Sequence, residues 1–448
     1  MCVIFLRSIT KCRFMLHRNT DDFMLHVRHS KRPMLYAVQA LQRKCLRPLA
    51  KIARGTAETL HAVHTKLPVP LPGVRAAEAY WALVHRLTKT YERPSFSIGC
   101  VDIDGESISV HEEVVDETPF CRLVAFRRSP GGHVSRERIE SEPHVLVVAP
   151  LSGHFATLLR DTVKTLLHSH NVIITDWVDA RDVAVADGTF TLDDYVLHVQ
   201  RFLRTLGAER VHLMAVCQPT VPCLAAVSLM AARGESTPRS MILMGGPIDA
   251  RRNPTAVNKL AVERDITWFE RNLLHRVPRP FKGHGRLVYP GFLQLTAFVS
   301  MNEQKHRDAY LDYFFDRWHG NAKSVEHHER FYDEYNAVLD MDAPYYLETV
   351  EKVFQQFLLA RGLWFVRGEH VNPTAITNTA LFTIEGELDD ISGPGQTEAA
   401  HALCTGIPPE NTQHLLAKDC GHYGIFSGQR WRDHIAPAVA SFVCAHGA

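Results

Sequence analysis

The chain reads as an α/β protein: a mostly parallel central sheet with helices on both faces, a helical cap insertion, and N-terminal helices ahead of the sheet. Three observations predict this. Short apolar runs over 144–149, 172–176, 211–216, 240–244 and 380–384 have the length and composition of strands buried on both faces. Most of the intervening stretches carry apolar residues at three- and four-residue steps, so strand and helix alternate as a parallel sheet requires. Between 250 and 342 the alternation lapses into an aromatic-rich segment with Pro and Gly breaks, which reads as an insertion.

Taken in order, residues 1–33 show mixed charge and no sustained period, whereas Met34 opens a clean helical pattern. The expectation is that 1–33 are an over-extended start or a disordered tail and that Met34 is the functional first residue. Over 35–67, Leu35, Val38, Leu41, Cys45, Leu49, Ile52, Ala53 and Leu60 recur at helical steps among Arg43, Lys44, Arg47 and Lys51. This predicts an amphipathic helix pair, broken near Pro48 or Gly55, either packed on the domain or laid on an apolar particle. A further helix is expected over 76–91, after Pro68, Pro70, Pro72 and Gly73. The run 101–110 alternates about Asp104-Gly105, a hairpin signal, and 120–126 continues the strands.

The parallel part then begins at 144–149. Its successor, Pro150-Leu151-Ser152-Gly153-His154, is a small-residue loop. Helix 155–167, strand 172–176, helix 193–206 stopped by Gly207, strand 211–216, a helix reaching Met230 and strand 240–244 follow. The cap holds Trp268, Phe298, Tyr313, Phe331, Tyr332 and Tyr335 among other rings, suiting a hydrophobic acyl substrate or an ordinary core. Beyond it come a long helix over 345–360, strands 380–384 and 414–417, and a closing helix over 431–442. The chain thus divides into 1–33, the N-terminal helical region 34–95, a first part of the core 96–249, the cap 250–342 and a second part of the core 343–448.

Composition narrows the function. A hydrophobic content of 46% suffices for a full core, and a net charge of +1 gives no basic groove for nucleic acid and no polybasic anchor. Ten cysteines without paired spacing read as reduced thiols of a cytosol, so a cytoplasmic location is expected. The 26 histidines are scattered; His168/His170 and His327/His328 lack further ligands nearby, so no metal and no resident cofactor are expected. No run approaches the ~20 apolar residues of a membrane span.

Chemistry concentrates at three places. The strand 211–216 stops at Cys217-Gln218-Pro219-Thr220 before a helix, a strand–turn–helix that lifts Cys217 above the sheet edge. A thiolate there is a strong nucleophile, activated by a helix N-terminus and an imidazole. Ala215 and Pro219 stand where such an elbow ordinarily has glycines, so Cys217 is alternatively a buried core cysteine. Strand 380–384 runs into Glu385-Gly386-Glu387-Leu388-Asp389-Asp390, and strand 414–417 into Asp419-Cys420-Gly421-His422. Nucleophile, acid and histidine, each in a loop after a parallel strand and in that order, are what an α/β-hydrolase triad requires. Cys217 is expected as nucleophile, His422 as general base and acid, and Asp389 as the group that orients the ring. The backbone N–H groups of Gln218 and of Leu151 or Ser152 are expected to form the oxyanion hole. Asp390 is the rival acid; Cys420 and Cys223 are rival thiols with structural roles expected.

The strings VVAPLSGHFATLLRD, VCQPTVPCLAA, MGGPIDARRNPTAVN, GHGRLVYPGFLQ, FYDEYNAVLDM, IEGELDDISG and CGHYGIFSGQRWR together resemble the intracellular polyhydroxybutyrate (PHB) depolymerase family, from about Met34 to the C-terminus and through the cap. The resemblance implies a cytoplasmic α/β-hydrolase that cleaves ester bonds of poly(3-hydroxybutyrate) at the surface of amorphous storage granules. It implies a Cys–His–Asp triad matching Cys217, His422 and Asp389, and release of hydroxybutyrate oligomers or monomers. Two rivals remain: a polyhydroxyalkanoate synthase, whose nucleophile box carries glycines absent here, and a non-catalytic granule-coating protein using the 35–67 region. Water or coenzyme A could accept the acyl group, and oligomeric state is left open.

Overall fold

A computed structural model describes residues 34–66, 71–132 and 134–447. The expectations for residues 1–33 lie outside the described residues.

Nine strands form the central sheet: β1 (Cys100–Ile103), β2 (Glu106–Glu117), β3 (Cys121–Arg128), β4 (His144–Val148), β5 (Asn171–Trp177), β6 (Val211–Val216), β7 (Ser240–Met244), and two later strands described below. The first three pair antiparallel, the hairpin turning at Asp104-Gly105, where Asp104 has φ 55° and Gly105 φ 83°. From β5 onward the pairing is parallel, in spatial order β5-β4-β6-β7. Every residue of β6 and β7 is buried, which explains why these strands read as unbroken apolar runs. Crossover helices α3 (Arg160–Leu166), α4 (Leu192–Leu206) and α5 (Thr220–Ala232) cover the faces. They follow the N-terminal α1 (Met34–Lys66) and α2 (Pro72–Thr88). α4 starts on a Thr191/Asp194 capping box and stops at Gly207, φ 75°. α5 is almost wholly apolar because it lies inside the molecule, buried from Thr220 to Met230.

The insertion supplies α6 (Gly291–Met301), α7 (Glu303–His319) and α8 (Ala322–Tyr335). It is not helical throughout. β8 (His275–Arg276), β9 (Leu287–Tyr289) and β10 (Met341–Asp342) form a small antiparallel sheet at its base. A two-stranded hairpin, β11 (Phe365–Val366) with β12 (Glu369–His370), had no clear sequence signal. The chain then returns to the main sheet as β13 (Ala380–Gly386), parallel to β7, and β14 (Thr412–Ala417) forms the edge. The closing helix α9 (Ala436–Ala445) packs its apolar face inward through Val439, Phe442 and Val443.

Two expected elements are corrected. The 35–67 pattern is one 33-residue helix, not a broken pair, with Pro48 inside it and exposed. Its Ala50, Ala53 and Ala57 are buried, and small side chains let α2, with buried Ala79 and Ala82, approach closely along the helix. This packing carries the helix through the one backbone donor that Pro48 removes. The long helix expected over 345–360 is a short α-helix, Ala343–Glu348, followed by a π-helical turn, Thr349–Gln355, and a stop at Phe357 with φ 53°. The Gln355 amide donates to the carbonyls of Ala261 and Arg264, and this tertiary contact accompanies the widened turn.

Candidate active site

β6 delivers Cys217 at a turn so tight that its φ is 68°, a left-handed conformation that costs a residue with a Cβ roughly 1–2 kcal/mol. Strain of this kind persists only where neighbours hold it. Here the Cys217 N–H donates to the Met244 carbonyl (2.7 Å), and the Cys217 carbonyl accepts from the Thr220 N–H (3.1 Å) as α5 begins. Cys217 is half-buried, unlike its two rivals. Cys223 lies inside α5 and burial drives its thiol well above the ordinary value; burial also raises the Cys420 thiol, which donates to the Gly421 carbonyl.

His422 is brought to the same rim by the loop after β14, and Asp389 by the loop after β13. The His422 Nδ1 donates to Asp389 Oδ2 at 2.7 Å, with both side chains buried. The other oxygen, Oδ1, accepts from the backbone N–H groups of Ile391 (2.9 Å) and Ser392 (2.8 Å), so the carboxylate cannot swing away. Asp390 points elsewhere: it is exposed and accepts from the Asn302 amide of the cap. Burial alone would push the His422 imidazole down. The Asp389 carboxylate and then the nearby Cys217 sulfur outweigh burial and hold it well above its ordinary value. Such an environment favours the imidazolium form of the ring.

Among the described residues no acceptor meets the backbone N–H groups of Gln218, Leu151 or Ser152. Gln218 follows the apex directly, and the 150–154 loop leaves the end of β4, the strand next to β6. The loop is strapped from above by the cap. Gly153, at φ 109°, offers its carbonyl to the Leu339 N–H (2.8 Å), and His154 pairs with Val338. The Gly153 φ of 109° is a backbone conformation that glycine adopts without the strain a Cβ would bring. The His154 ring packs among Phe298, Tyr335 and Tyr423, and its Nε2 lies 3.2 Å from the Tyr335 carbonyl. Full burial lowers its pKa to about 4. The aromatic cap therefore roofs the loop beside the thiol.

Sequence reasoning missed the floor of the site. Gly245 and Gly246 run directly beneath it: a Cβ at Gly245 would meet Ile425 Cδ1 at 2.5 Å and Asp389 Oδ2 and His422 Cε1 at 3.4 Å, and one at Gly246 would meet Thr220 Oγ1 at 1.8 Å and the Cys217 carbonyl at 2.4 Å. Gly246 is fixed by Thr397, whose hydroxyl accepts from its N–H (2.8 Å) and donates to its carbonyl (3.0 Å). The Thr397 segment is in turn pinned by Glu385, which accepts from the N–H groups of Gly395, Thr397 and Glu398. A pair of glycines immediately after a buried strand was the available signal. Gly246, just past β7, thus leaves the room that the Cys217 carbonyl and Thr220 occupy.

A half-buried thiol, a buried imidazole and a buried carboxylate, with backbone donors that meet no acceptor among the described residues, are the kinds of group that can form and break an acyl bond. A family model described as the PHB de-polymerase C-terminus matches residues 245–447. No curated protein matches the chain in sequence. Among solved structures it is similar to 2-hydroxy-6-oxo-6-phenylhexa-2,4-dienoate hydrolase from Rhodococcus sp. strain RHA1 (11% identity, 75% of this chain and 99% of that one, TM-score 0.41). It is also similar to the meta-cleavage product hydrolase from Pseudomonas fluorescens IP01 (14% identity, 77% and 97%, TM-score 0.38). Residues 245–447 thus match the C-terminal region of the PHB depolymerases, and the sheet that carries them is mostly parallel with helices on both faces.

Proposed function

We propose that this enzyme hydrolyses the ester bonds of poly(3-hydroxybutyrate) in amorphous granules through Cys217, His422 and Asp389. The observation that carries the reading is the buried His422 ring, bonded to Asp389 through Nδ1, with the half-buried Cys217 thiol near enough to raise the imidazole pKa. In the first half-reaction His422 takes the thiol proton, the sulfur attacks the ester carbonyl, and the oxyanion is met by the N–H of Gln218 and of Leu151 or Ser152. Collapse breaks the ester C–O bond; His422 returns the proton to the leaving alkoxide, giving a shortened chain with a free hydroxyl and an acyl-thioester on Cys217. In the second, His422 deprotonates water, which attacks the thioester, and the released sulfur regains its proton while a hydroxyacid departs. Asp389 keeps the ring in the productive tautomer and stabilises its charged form. One oxyanion donor typically contributes roughly 3–4 kcal/mol to the barrier.

The polymer as substrate is supported by the family match and by the cap, whose rings Phe298, Phe331 and Tyr335 stand over the loop beside the thiol. A reducing, cytoplasmic setting is supported by the eight cysteines among the described residues, all free. No helix among the described residues is long and apolar enough to cross a membrane. The test is incubation of the purified protein with amorphous poly(3-hydroxybutyrate), with and without coenzyme A. Hydroxybutyrate or its oligomers are expected without coenzyme A, and iodoacetamide should stop their release. Polymer growth from hydroxybutyryl-CoA would instead mark a synthase. Granule binding without acid release would mark a coating protein, and release of acyl-CoA alone would replace water by the thiol as acceptor.

A further inference from the structure

The cap accounts for the aromatic surface near the thiol, but α1 remains unused. Its inner face is committed: Tyr36, Ala50, Ala53 and Ala57 are buried. Its outer face carries Val38 (52% exposed), Leu41 (62%) and Ile52 (60%), with Cys45 also exposed; steps of three, four and seven residues place them in one stripe along the helix. Large apolar side chains are exposed elsewhere too, among them Val185, Val262, Phe365 and Leu388, but these are separated in the sequence, whereas the three on α1 share one helix face. Beside the stripe stand Lys44 and Lys51, both exposed and without an acidic partner among the described residues. The only carboxylate on α1 is Glu58, which Arg54 neutralises at 2.7 Å. The whole chain is close to neutral, with a net charge of +1, so this local excess is a property of the helix.

An apolar stripe bordered by unpaired cations suits a surface that offers both hydrocarbon and negative charge. We propose that α1 is a docking element for an anionic phospholipid surface: Val38, Leu41 and Ile52 enter the boundary between headgroups and acyl chains, while Lys44 and Lys51 meet the phosphate layer. Charge complementarity selects this occupant. A second copy of the chain would set the same two cations against one another, and a neutral surface would leave them unpaired. The proposal does not depend on the polymer reading, because its readout contains no polymer.

The test is sedimentation of the full chain with vesicles of phosphatidylcholine containing about one third phosphatidylserine, against pure phosphatidylcholine. The wild type should partition to the anionic vesicles and be released by raised salt. Lys44→Gln/Lys51→Gln should lower partitioning by about 20-fold or more, and Leu41→Ser/Ile52→Ser by about 100-fold or more. Both variants should keep wild-type turnover of a short water-soluble ester, which also reports that they fold; the exposed charge pair remains informative if the apolar pair misfolds. Equal partitioning of wild type and variants, or equal binding to neutral vesicles, would overturn the proposal. A wild-type dimer that Leu41→Ser/Ile52→Ser converts to monomer, with no vesicle binding, would also overturn it, assigning the stripe to a second copy.

Discussion

Replacing Gly246 by alanine should disable the site without touching any reacting group. The added Cβ would lie 1.8 Å from Thr220 Oγ1, 2.4 Å from the Cys217 carbonyl oxygen and 2.5 Å from Thr220 Cγ2. To reach even a tight contact of about 3 Å, the Cys217 carbonyl must withdraw by roughly 0.6 Å and the hydroxyl by roughly 1.2 Å. Gly246 cannot retreat instead, because Thr397 holds both its N–H and its carbonyl. Rotating Thr220 about its Cα–Cβ bond leaves the Cys217 carbonyl contact untouched. The elbow therefore yields. Overpacking of this degree costs about 1–3 kcal/mol in stability. A nucleophile displaced by the better part of an ångström loses on the order of 100-fold in rate. Turnover of a soluble butyrate ester and thermal melting of wild type, Gly246→Ala and Gly246→Ala/Thr220→Ala measure both. The double variant removes two of the three contacts and should regain most of the melting temperature, but not all of the kcat/KM. If Gly246→Ala alone keeps kcat/KM within twofold and melts as the wild type, the account of the floor is wrong.

Asp389→Asn preserves shape but removes the charge that holds His422 in its tautomer, and kcat should fall by about 10⁴-fold, as should the rate of iodoacetamide alkylation at neutral pH to a lesser degree; a loss under tenfold would remove Asp389 from its role. His154, with its pKa lowered to about 4 in the fold, favours folding above the ordinary histidine value, and this contribution is lost as pH falls from about 6.5 toward 4. His154→Phe should therefore gain about 2 kcal/mol at about pH 5 relative to pH 7.5, read from urea unfolding at the two values. Asp340 acts with the opposite sign. Burial raises its carboxyl to about 7, so its contribution is greatest below about 4 and is lost as pH rises through about 7. Asp340→Asn should shift stability toward the higher pH by about 3 kcal/mol, and no shift would mean that the carboxyl is not held neutral.

The Asp340 case also shows where reading the chain stops. Asp340 accepts from the Tyr36 hydroxyl and from the Gly291 N–H, joining α1 to the cap across 304 positions of sequence, and no local pattern marks such a bond. The same holds for Glu385, an acidic residue in a run of acids, whose three backbone donors come from a loop ten to thirteen residues on. Pro48 and Tyr345–Ala360 mislead for a related reason. Local helix signals predict a break in the first and continuity in the second, whereas packing against α2 and the Gln355 amide decide otherwise.

By itself the sequence determined the alternation of strand and helix, the run of buried parallel strands, and the three loops that carry a thiol, a carboxylate and an imidazole. These follow from periodicity and from residue type, which act over a few neighbours. Only the tertiary structure decided that Asp389, the acid expected, meets the His422 ring while Asp390 bonds to the cap, that Gly245 and Gly246 just past β7 leave room for the ring and for the Cys217 carbonyl, and that the cap holds the 150–154 loop from above. Those outcomes depend on distances between segments far apart in the chain, where close packing admits one arrangement and a single methyl group would forbid it.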